Sequence, residues 1–253
     1  MVSARGIVNR FGRQRLHDKI DLDVDAGEIV GIAGGSGSGK SVLLKTLIGL
    51  RRPNAGHVRL AGRPVEAMAG DEKASMIGVL FQQGALFSSL SVAQNIMLPM
   101  REHTGASPQM REQAAALKLA LAGLPAETGL KFPSELSGGM VKRAALARAL
   151  ALDPHVLFLD EPTADLDALT ASGIDELIEQ LNRSLRVTVV LVTHDLTTLF
   201  SICHRVAVLV DGKLVIDTLP ALLRSRQPWI REFLHGLRAQ AAIGTGRQHH
   251  GNR

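Results

Sequence analysis

One short segment limits what this chain can fold into more than any other feature. It fits the pattern G-x-x-x-x-G-K-[ST] and consists of Gly34, Gly35, Ser36, Gly37, Ser38, Gly39, Lys40 and Ser41. A strand-like run from Glu28 precedes it, and a helical apolar run, residues 42–48, follows it. In such a strand–loop–helix unit, backbone N–H groups surround phosphate oxygens, the lysine reaches the outer phosphates and the serine can bind magnesium. The segment therefore predicts a nucleotide-phosphate site rather than a Gly/Ser linker.

Length and composition favour one α/β domain with modest additions. The 253 residues, 45% of them hydrophobic, can bury a sizeable core, whereas two full domains would be crowded. No apolar run approaches the roughly 18 residues that cross a bilayer, and the first residues lack a signal peptide's apolar core. We therefore expect a cytoplasmic chain. A single cysteine, Cys203, excludes an intramolecular disulfide and a cysteine-based zinc site, and we expect it to be a small buried residue on a helix.

Positive charge is concentrated towards the C-terminus. The formal net charge is +5, and residues 224–253 contain six arginines and one acidic residue, Glu232. Charge alone leaves nucleic acid, a membrane surface and simple solubility open. With seven Phe, one Trp and no Tyr, the chain has few rings to stack on bases, which argues against a platform for single-stranded nucleic acid. We expect no nucleic-acid partner. Residues 241–253 are expected to form a flexible basic tail.

Two kinds of strand pattern occur along the chain. Residues 20–24 alternate between apolar side chains and aspartates, as a strand with one wet face does. Asp211 and Gly212 separate two strand-like runs, as expected for a hairpin turn. Nearly continuous apolar runs, typical of buried parallel strands, cover residues 76–81, 156–159 and 187–192. The sequence thus predicts an α/β fold with a wound parallel sheet.

Each buried strand of this predicted sheet ends in polar residues. The strand from Glu28 runs into the phosphate loop, and the others end at Gln82, at Asp160 and Glu161, and at Thr193 and His194. Open α/β sheets bind ligands at the carboxyl ends of their strands, so four segments are expected to deliver residues to one site.

Asp160 and Glu161 require different roles, because adjacent side chains on a strand point to opposite sides. Asp160 is the better magnesium ligand, since an apolar strand ends in it. Glu161 is then placed to polarise the attacking water as a general base. The alternative, an exposed acidic turn before Pro162, is less favoured because the pair directly follows four apolar residues.

A second anion-binding helix start is predicted at residues 136–140, which read LSGGM. Ser137 can cap a helix that begins near Gly139. At this point the chain resembles the ATP-binding cassette (ABC) ATPases, whose signature is LSGGQ and whose other motifs occur here in the family order. The resemblance spans about residues 11–216. It departs at Met140, where Gln is usual, and at Phe11, where a Tyr commonly stacks on adenine.

The resemblance implies a P-loop NTPase (RecA-like) parallel sheet core with an antiparallel β subdomain and an inserted α-helical subdomain. We expect a single domain over residues 1–240, with the helical subdomain at about 88–152. ATP and Mg²⁺ are the implied ligands.

Further site residues are implied by the family motifs. Gln82 matches the Q-loop glutamine, which senses the γ-phosphate, contributes to the magnesium site and reports to a membrane subunit; Gln83 is the less favoured register. His194 matches the switch histidine, whose neutral ring could hydrogen-bond the γ-phosphate or the water. Phe11 is the implied adenine platform, although a lone Phe beside a glycine could instead belong to the core.

Two copies of the chain are implied to form a head-to-tail homodimer. In the family, the signature motif of one subunit closes on nucleotide held by the other. Ser137, Gly138 and Gly139 would thus reach the γ-phosphate that Lys40 of a second copy holds. The D-loop between the two sites is matched by Asp165 and Asp167.

Additional segments resemble one group within the family, the Mla/Mce-type phospholipid transport ATPases. They are residues 81–87, 99–104 and 229–236, whereas residues 163–167 are closer to the common ABC form. This likeness implies an integral membrane permease, an Mce-domain substrate-binding protein and a place at the cytoplasmic face of the inner membrane, and it leaves open a small regulatory subunit. An importer of a polar solute and a non-transport ABC ATPase remain alternatives.

A groove in which a cytoplasmic helix of the permease docks is expected over residues 83–104, directly after Gln82. The residues that could pair with an incoming cytoplasmic helix are Arg101, Glu102 and His103. The alternative for these three is an ordinary solvated helix end.

Overall fold

The computed structural model describes residues 1–82 and 84–236. Its described part falls into two units, residues 1–67 with those from 190 onwards, and residues 68–189. Gln83 and the predicted tail, residues 241–253, lie outside the described residues. Within residues 1–82 and 84–236, none of the helices has the length and apolar character that crossing a membrane requires.

The first unit begins with an antiparallel sheet of strand order β2-β1-β4-β5. Its strands are β1 (Val2–Phe11), β2 (Gln14–Val24), β4 (Ala55–Leu60) and β5 (Arg63–Pro64). Ile20, Leu22 and Val24 are buried, and the aspartates between them are exposed, which confirms the predicted alternation. The sheet thus buries one face, as the period-2 pattern requires.

A second group of strands in this unit, with one parallel and one antiparallel pair, carries the phosphate loop. β3 (Ile29–Gly34) is buried throughout and pairs in parallel with β9 (Arg205–Val210). β9 pairs antiparallel with β10 (Lys213–Asp217), and the turn residues Asp211 and Gly212 have φ of 50° and 73°, which confirms the predicted hairpin. The helices of the unit are α1 (Lys40–Leu47), α7 (Leu196–Ile202), α8 (Leu219–Leu222) and α9 (Pro228–His235).

Cys203 directly follows α7 and is half-buried rather than fully buried within a helix. The boundary between the units falls within β8 (Thr188–Val192).

The second unit contains the parallel pair β6 (Ile77–Leu80) and β7 (Val156–Asp160). The predicted strand at 76–81 is shorter in the structure, because Met76 ends helix α2 (Gly70–Met76). The other helices are α3 (Val92–His103), α4 (Pro108–Leu121), α5 (Gly138–Ala149) and α6 (Ala168–Leu185), with short 3-10 turns at Ala126–Leu130 and Pro133–Glu135.

Helices α3, α4 and α5 share a core of their own. It includes Val92, Ile96, Leu119, Ala144 and Ala147, all of which are buried. Small alanines on α5 let the larger side chains of α3 and α4 pack closely against it. All of these residues lie within 88–152, the expected helical subdomain, whose exact bounds stay a prediction.

Candidate nucleotide site

The phosphate loop lies between a fully buried strand and a helix whose N-cap is a glycine. Helix α1 begins at Lys40, after Gly39, which has no side chain to cap the first N–H groups. The Lys40 ammonium donates hydrogen bonds to the carbonyl oxygens of Gly34 at 2.9 Å and Gly35 at 3.0 Å. The lysine therefore folds across the loop, where phosphate oxygens could take the place of those acceptors. Such an uncapped helix start also attracts anions.

Glycine is required at Gly39 for two reasons. Its φ of 100° is in the left-handed region, and a Cβ there would lie 2.6 Å from His17 Nε2 and 2.8 Å from Leu16 Cδ2. A side chain at this position would strain the backbone and displace strand β2. The loop is thus built directly on the strand beneath it.

A buried polar network of Asn9, His17 and Thr46 holds His17 in place against Gly39. The sequence patterns did not reveal this network. The Asn9 amide nitrogen lies 2.9 Å from His17 Nδ1 and donates to the Thr46 hydroxyl at 3.0 Å. All three residues are fully buried. An amide nitrogen can only donate, so His17 accepts this hydrogen bond at Nδ1. The proton of the neutral imidazole is therefore on Nε2, the ring nitrogen that faces Gly39. Burial lowers the pKa of His17 to about 4. A hydrogen bond with the Gly39 backbone raises this pKa, and the positive charge of Arg51 lowers it further.

The pKa of His17 predicts that folding stability falls in mild acid. The folded pKa, about 4, is below the ordinary 6.5, so the unfolded chain takes up a proton first. The free energy of unfolding should drop by about 3 kcal/mol between pH ~6.5 and ~4 from this residue alone. Urea unfolding at several pH values measures it. His17→Gln, which does not titrate, is the control; equal pH slopes for both proteins would contradict the prediction.

The only tryptophan of the chain lies against the phosphate loop. A Cβ on Gly35 would be 3.7 Å from Trp229 Cζ2. Trp229 is on α9, stacks on Phe233 with ring centroids 4.9 Å apart, and packs at the edge of the apolar cluster that buries Ile230. Helix α9 therefore contacts the loop that the sequence predicts to hold phosphate.

Phe11 lies at the end of β1 with 49% of its surface exposed. The Arg51 guanidinium carbon sits 4.2 Å from the ring centroid, so one face is covered by a cation. The ring is accessible, as an adenine platform must be, and it is not part of the core.

His194 occupies the turn between β8 and α7. Its neighbour Thr193 donates its backbone N–H to the Ile32 carbonyl at 3.2 Å, two residues before the phosphate loop. Asp195 caps α7 by accepting from Thr197 N at 2.8 Å. These bonds hold the backbone on both sides of His194, whose side chain is exposed. The bond from Thr193 to Ile32 places this segment beside the end of β3, where the phosphate loop begins.

In the second unit, Asp160 and Glu161 are both buried, at 6% and 8% exposure. Asp160 is the last residue of β7, but Glu161 is already outside the strand with φ of 50°. The expectation from strand alternation therefore does not apply to this pair, because Glu161 lies in a left-handed conformation after the strand ends. Such a conformation is uncommon for residues other than glycine and concentrates at functional sites.

The chain around Gln82 is held by cations of helix α5. Lys142 donates to the Gln82 carbonyl and, at 3.0 Å, to the Glu161 carbonyl. Arg148 donates to the carbonyls of Ala85 at 2.7 Å and Gly84 at 3.0 Å. The Gln82 side chain is itself exposed. Two residues with predicted roles are thus joined through Lys142, which the sequence motifs do not single out.

Ser137 is the N-cap of α5, and its hydroxyl accepts from Met140 N at 3.4 Å. A Cβ on Gly138 would lie 3.4 Å from Leu166 Cδ2, and one on Gly139 would lie 2.5 Å from Thr170 Cγ2. Gly139 therefore permits a close approach to α6 that alanine would prevent.

The predicted D-loop lies at the start of α6. Asp167 caps this helix through Leu169 N at 3.1 Å and Thr170 N at 3.0 Å, and bonds with Thr170 lower the pKa of the Asp167 carboxyl. Asp165 has φ of 66°. The helix-capping role of Asp167 accounts for an aspartate at this position, while a role across a dimer stays a prediction.

Known proteins match this chain over most of its length. Residues 17–164 match the ABC transporter family. MlaF of Escherichia coli K12, the intermembrane phospholipid transport system ATP-binding protein, is 37% identical over 241 residues, covering 94% of this chain and 89% of MlaF. Mkl of Mycobacterium tuberculosis H37Rv, a probable ribonucleotide transport ATP-binding protein, is 39% identical over 241 residues, covering 94% of this chain and 67% of Mkl.

A solved structure shows the same fold. The dimeric post-hydrolysis structure of the ATP-binding cassette MJ0796, bound to ADP and Pi, aligns with a TM-score of 0.78 at 32% identity, over 87% of this chain and 99% of that one.

The phosphate loop on a buried parallel strand defines an α/β nucleotide-binding ATPase. The chain belongs to the ABC transporter family. It is an ATP-binding, ATP-hydrolysing subunit of that family, so the predicted fold class, family and enzyme class are confirmed.

Proposed function

We propose that this chain hydrolyses ATP to drive phospholipid transport between membranes through a separate permease. The observation that carries this proposal is the similarity to the MlaF proteins, which extends over almost the full length of both chains, 94% of this one and 89% of the Escherichia coli protein. A match confined to the nucleotide-binding motifs would support only the family.

The proposed roles of the first unit follow its geometry. Lys40 exchanges its loop carbonyl partners for the outer phosphates, and the N–H groups at the start of α1 bind the same anion. Phe11 offers its exposed ring to the adenine. His194, fixed on both sides, hydrogen-bonds the γ-phosphate or the water.

In the second unit, the proposed roles belong to carboxylates and an amide. Asp160 and Gln82 offer the hard oxygen ligands that Mg²⁺ prefers, and such an ion would neutralise charge on the phosphates. The Ser41 hydroxyl of the first unit is proposed as a further magnesium ligand. Glu161 accepts a proton from the attacking water. Burial of both carboxylates keeps bulk water from competing for them.

Two copies are proposed to assemble head to tail. The dimeric cassettes of MJ0796 support this arrangement. Ser137 caps the start of α5, and the positive end of this helix dipole attracts anions; Gly138 and Gly139 add no side chains there. These residues would then contact the γ-phosphate that Lys40 of the second copy binds.

The last turn of α3 and the cleft beside it form the proposed permease docking surface. Arg101 and Glu102 pair with each other at 2.9 Å and are 61% and 55% exposed. His103 pairs with Asp71 of α2 at 2.8 Å. The cleft, of about 200 Å³, is lined by Leu90, Gln94, Met97, Leu98, Arg101, Pro108, Arg111 and Glu112. Apolar walls with charges at the rim suit an amphipathic cytoplasmic helix.

The proposal also places the chain at the cytoplasmic face of the inner membrane, held there by the permease. An Mce-domain protein and a small regulatory subunit are the further proposed partners, on the strength of the resemblance to Mla/Mce-type systems.

Transport by the complex with its permease, reconstituted in phospholipid vesicles, tests this function. We expect ATP-dependent transfer of a fluorescent phospholipid to acceptor vesicles.

We also expect Arg101→Glu with Glu102→Arg to reduce permease pull-down and transport, since breaking a desolvated pair at an interface costs about 2–5 kcal/mol. The swapped side chains can still pair with each other, so the isolated subunit should stay folded and bind nucleotide.

Arg183→Glu with Glu179→Arg is the matched control, because it reverses another exposed ion pair on a helix of the same unit. Equal assembly and transport in both double variants would exclude the docking surface. Unchanged lipid positions despite ATP turnover would exclude the phospholipid function.

One observation favours a second candidate, the import of a polar solute. Mkl, at 39% identity, is named as a probable ribonucleotide transport protein. ATP-dependent uptake of a labelled ribonucleotide into the same vesicles, without lipid transfer, would select this function.

A further inference from the structure

One buried lysine connects two segments with proposed catalytic roles. Lys142 is 6% exposed, and its ammonium donates to the backbone carbonyls of Gln82 and Glu161, the latter at 3.0 Å. Burial lowers the pKa of Lys142, while the carboxylates of Asp165, Glu161 and Asp160 act in the opposite direction. Removing such a group from water is costly, so its position is explained by what it binds.

Both carbonyls belong to irregular backbone that a strand does not hold. Glu161 has φ of 50° and precedes Pro162, which further restricts its conformation. Its carbonyl also accepts from Ala164 N, at the longer distance of 3.3 Å. Gln82 follows the end of β6 in a turn that Gly84 N closes on the Phe81 carbonyl at 2.7 Å. The ammonium is therefore a direct link between these two turns.

We propose that Lys142 is a positioning residue that couples Gln82 to Glu161. By holding both carbonyls, it fixes where the base stands relative to the glutamine segment, and a movement of that segment reaches the base directly. The inference rests on the proposed roles of these two residues. It predicts an effect on the rate of the chemical step and not on nucleotide affinity, because the Lys142 ammonium donates to two backbone carbonyls.

The test measures ATP hydrolysis by Lys142→Met in the purified transporter complex. Misplacing a catalytic group by a small distance can reduce turnover by up to about 10²-fold, and we expect kcat to fall about tenfold or more. KM and the Kd of a fluorescent ATP analogue should stay within about twofold. Lys118→Met is the matched control, since Lys118 is also buried in this unit but pairs with the Asp153 carboxylate instead of these carbonyls.

Conservative variants separate positioning from folding. Lys142→Arg retains long N–H donors and should keep most of kcat, whereas Lys142→Gln reaches less far and should be intermediate. If Lys142→Met fails to fold, the test is whether the kcat of Lys142→Arg is higher than that of Lys142→Gln. Values of kcat for all Lys142 variants equal to that of Lys118→Met would overturn the coupling.

Glu161→Gln separates the proposed role of Glu161 as the base from the proposed coupling through Lys142. If this variant hydrolyses ATP at the wild-type rate, the proposed base is wrong and the coupling loses its basis. If it is inactive while Lys142→Met keeps the kcat of Lys118→Met, the proposed base stands and the coupling alone is wrong.

Discussion

Glu161→Gln should lose most ATP turnover while it still binds ATP. The amide keeps the size of the carboxylate at a buried position, 8% exposed, but it cannot accept a proton from the attacking water. General-base assistance is worth about 10²–10⁴-fold, so kcat should fall by that factor. Phosphate release by the purified complex gives the rate, and titration with a fluorescent ATP analogue gives the affinity.

Lys40→Ala provides the opposite pattern as a control. Its ammonium is expected to bind the outer phosphates, so this change should weaken nucleotide affinity itself, whereas Glu161→Gln should not. Hydrolysis close to the wild-type rate in Glu161→Gln would remove this residue from the role of base. Loss of binding in both variants would assign Glu161 to substrate binding instead.

The strands around the phosphate loop could be predicted because their pattern is local. β3 is apolar from Ile29 to Ala33 and fully buried, and the Asp211 turn between β9 and β10 needs only a left-handed residue followed by glycine. Residues 76–81 show the limit of this reasoning. An apolar run does not reveal that Met76 still belongs to a helix, since helix and strand compete for the same side chains.

The network beneath the loop was not predictable from periodicity, for a physical reason. Alternation from Ile20 to Val24 places odd-numbered residues of β2 on the wet face, yet His17 is fully buried. The register between β1 and β2 shifts there, and Lys19 has φ of 53°. A bulge of this kind moves the following side chains to the other face of the sheet.

Hydrogen bonds between residues far apart in the chain could not be predicted from the sequence. Lys142 reaches a carbonyl 60 positions earlier in the chain and another 19 positions later. Motif spacing carries no information on such bonds, because any residue can supply a carbonyl. The motif positions of Gln82 and Glu161 were recognisable, but the left-handed conformation of Glu161 and its link to Gln82 required the structure.

Purified heterodimers should reveal whether each site is completed by the second subunit. Ser137→Arg blocks the start of α5, and Lys40→Ala removes the phosphate ligand, so each homodimer should be inactive. A heterodimer of the two has one site with both defects and one with neither, if Ser137 acts on nucleotide held by the partner. One intact site of two predicts up to about half of the wild-type rate, provided that it turns over alone.

The reciprocal heterodimer gives the matched control. Placing both changes in one subunit and pairing it with wild type leaves every site with one defect in the trans arrangement, so hydrolysis should be absent. If Ser137 served the nucleotide of its own subunit, the outcomes would exchange: the first heterodimer would be inactive and the second half-active. Two affinity tags isolate each heterodimer, which excludes contributions from homodimers, and the two rates together decide which subunit supplies the helix start to the γ-phosphate.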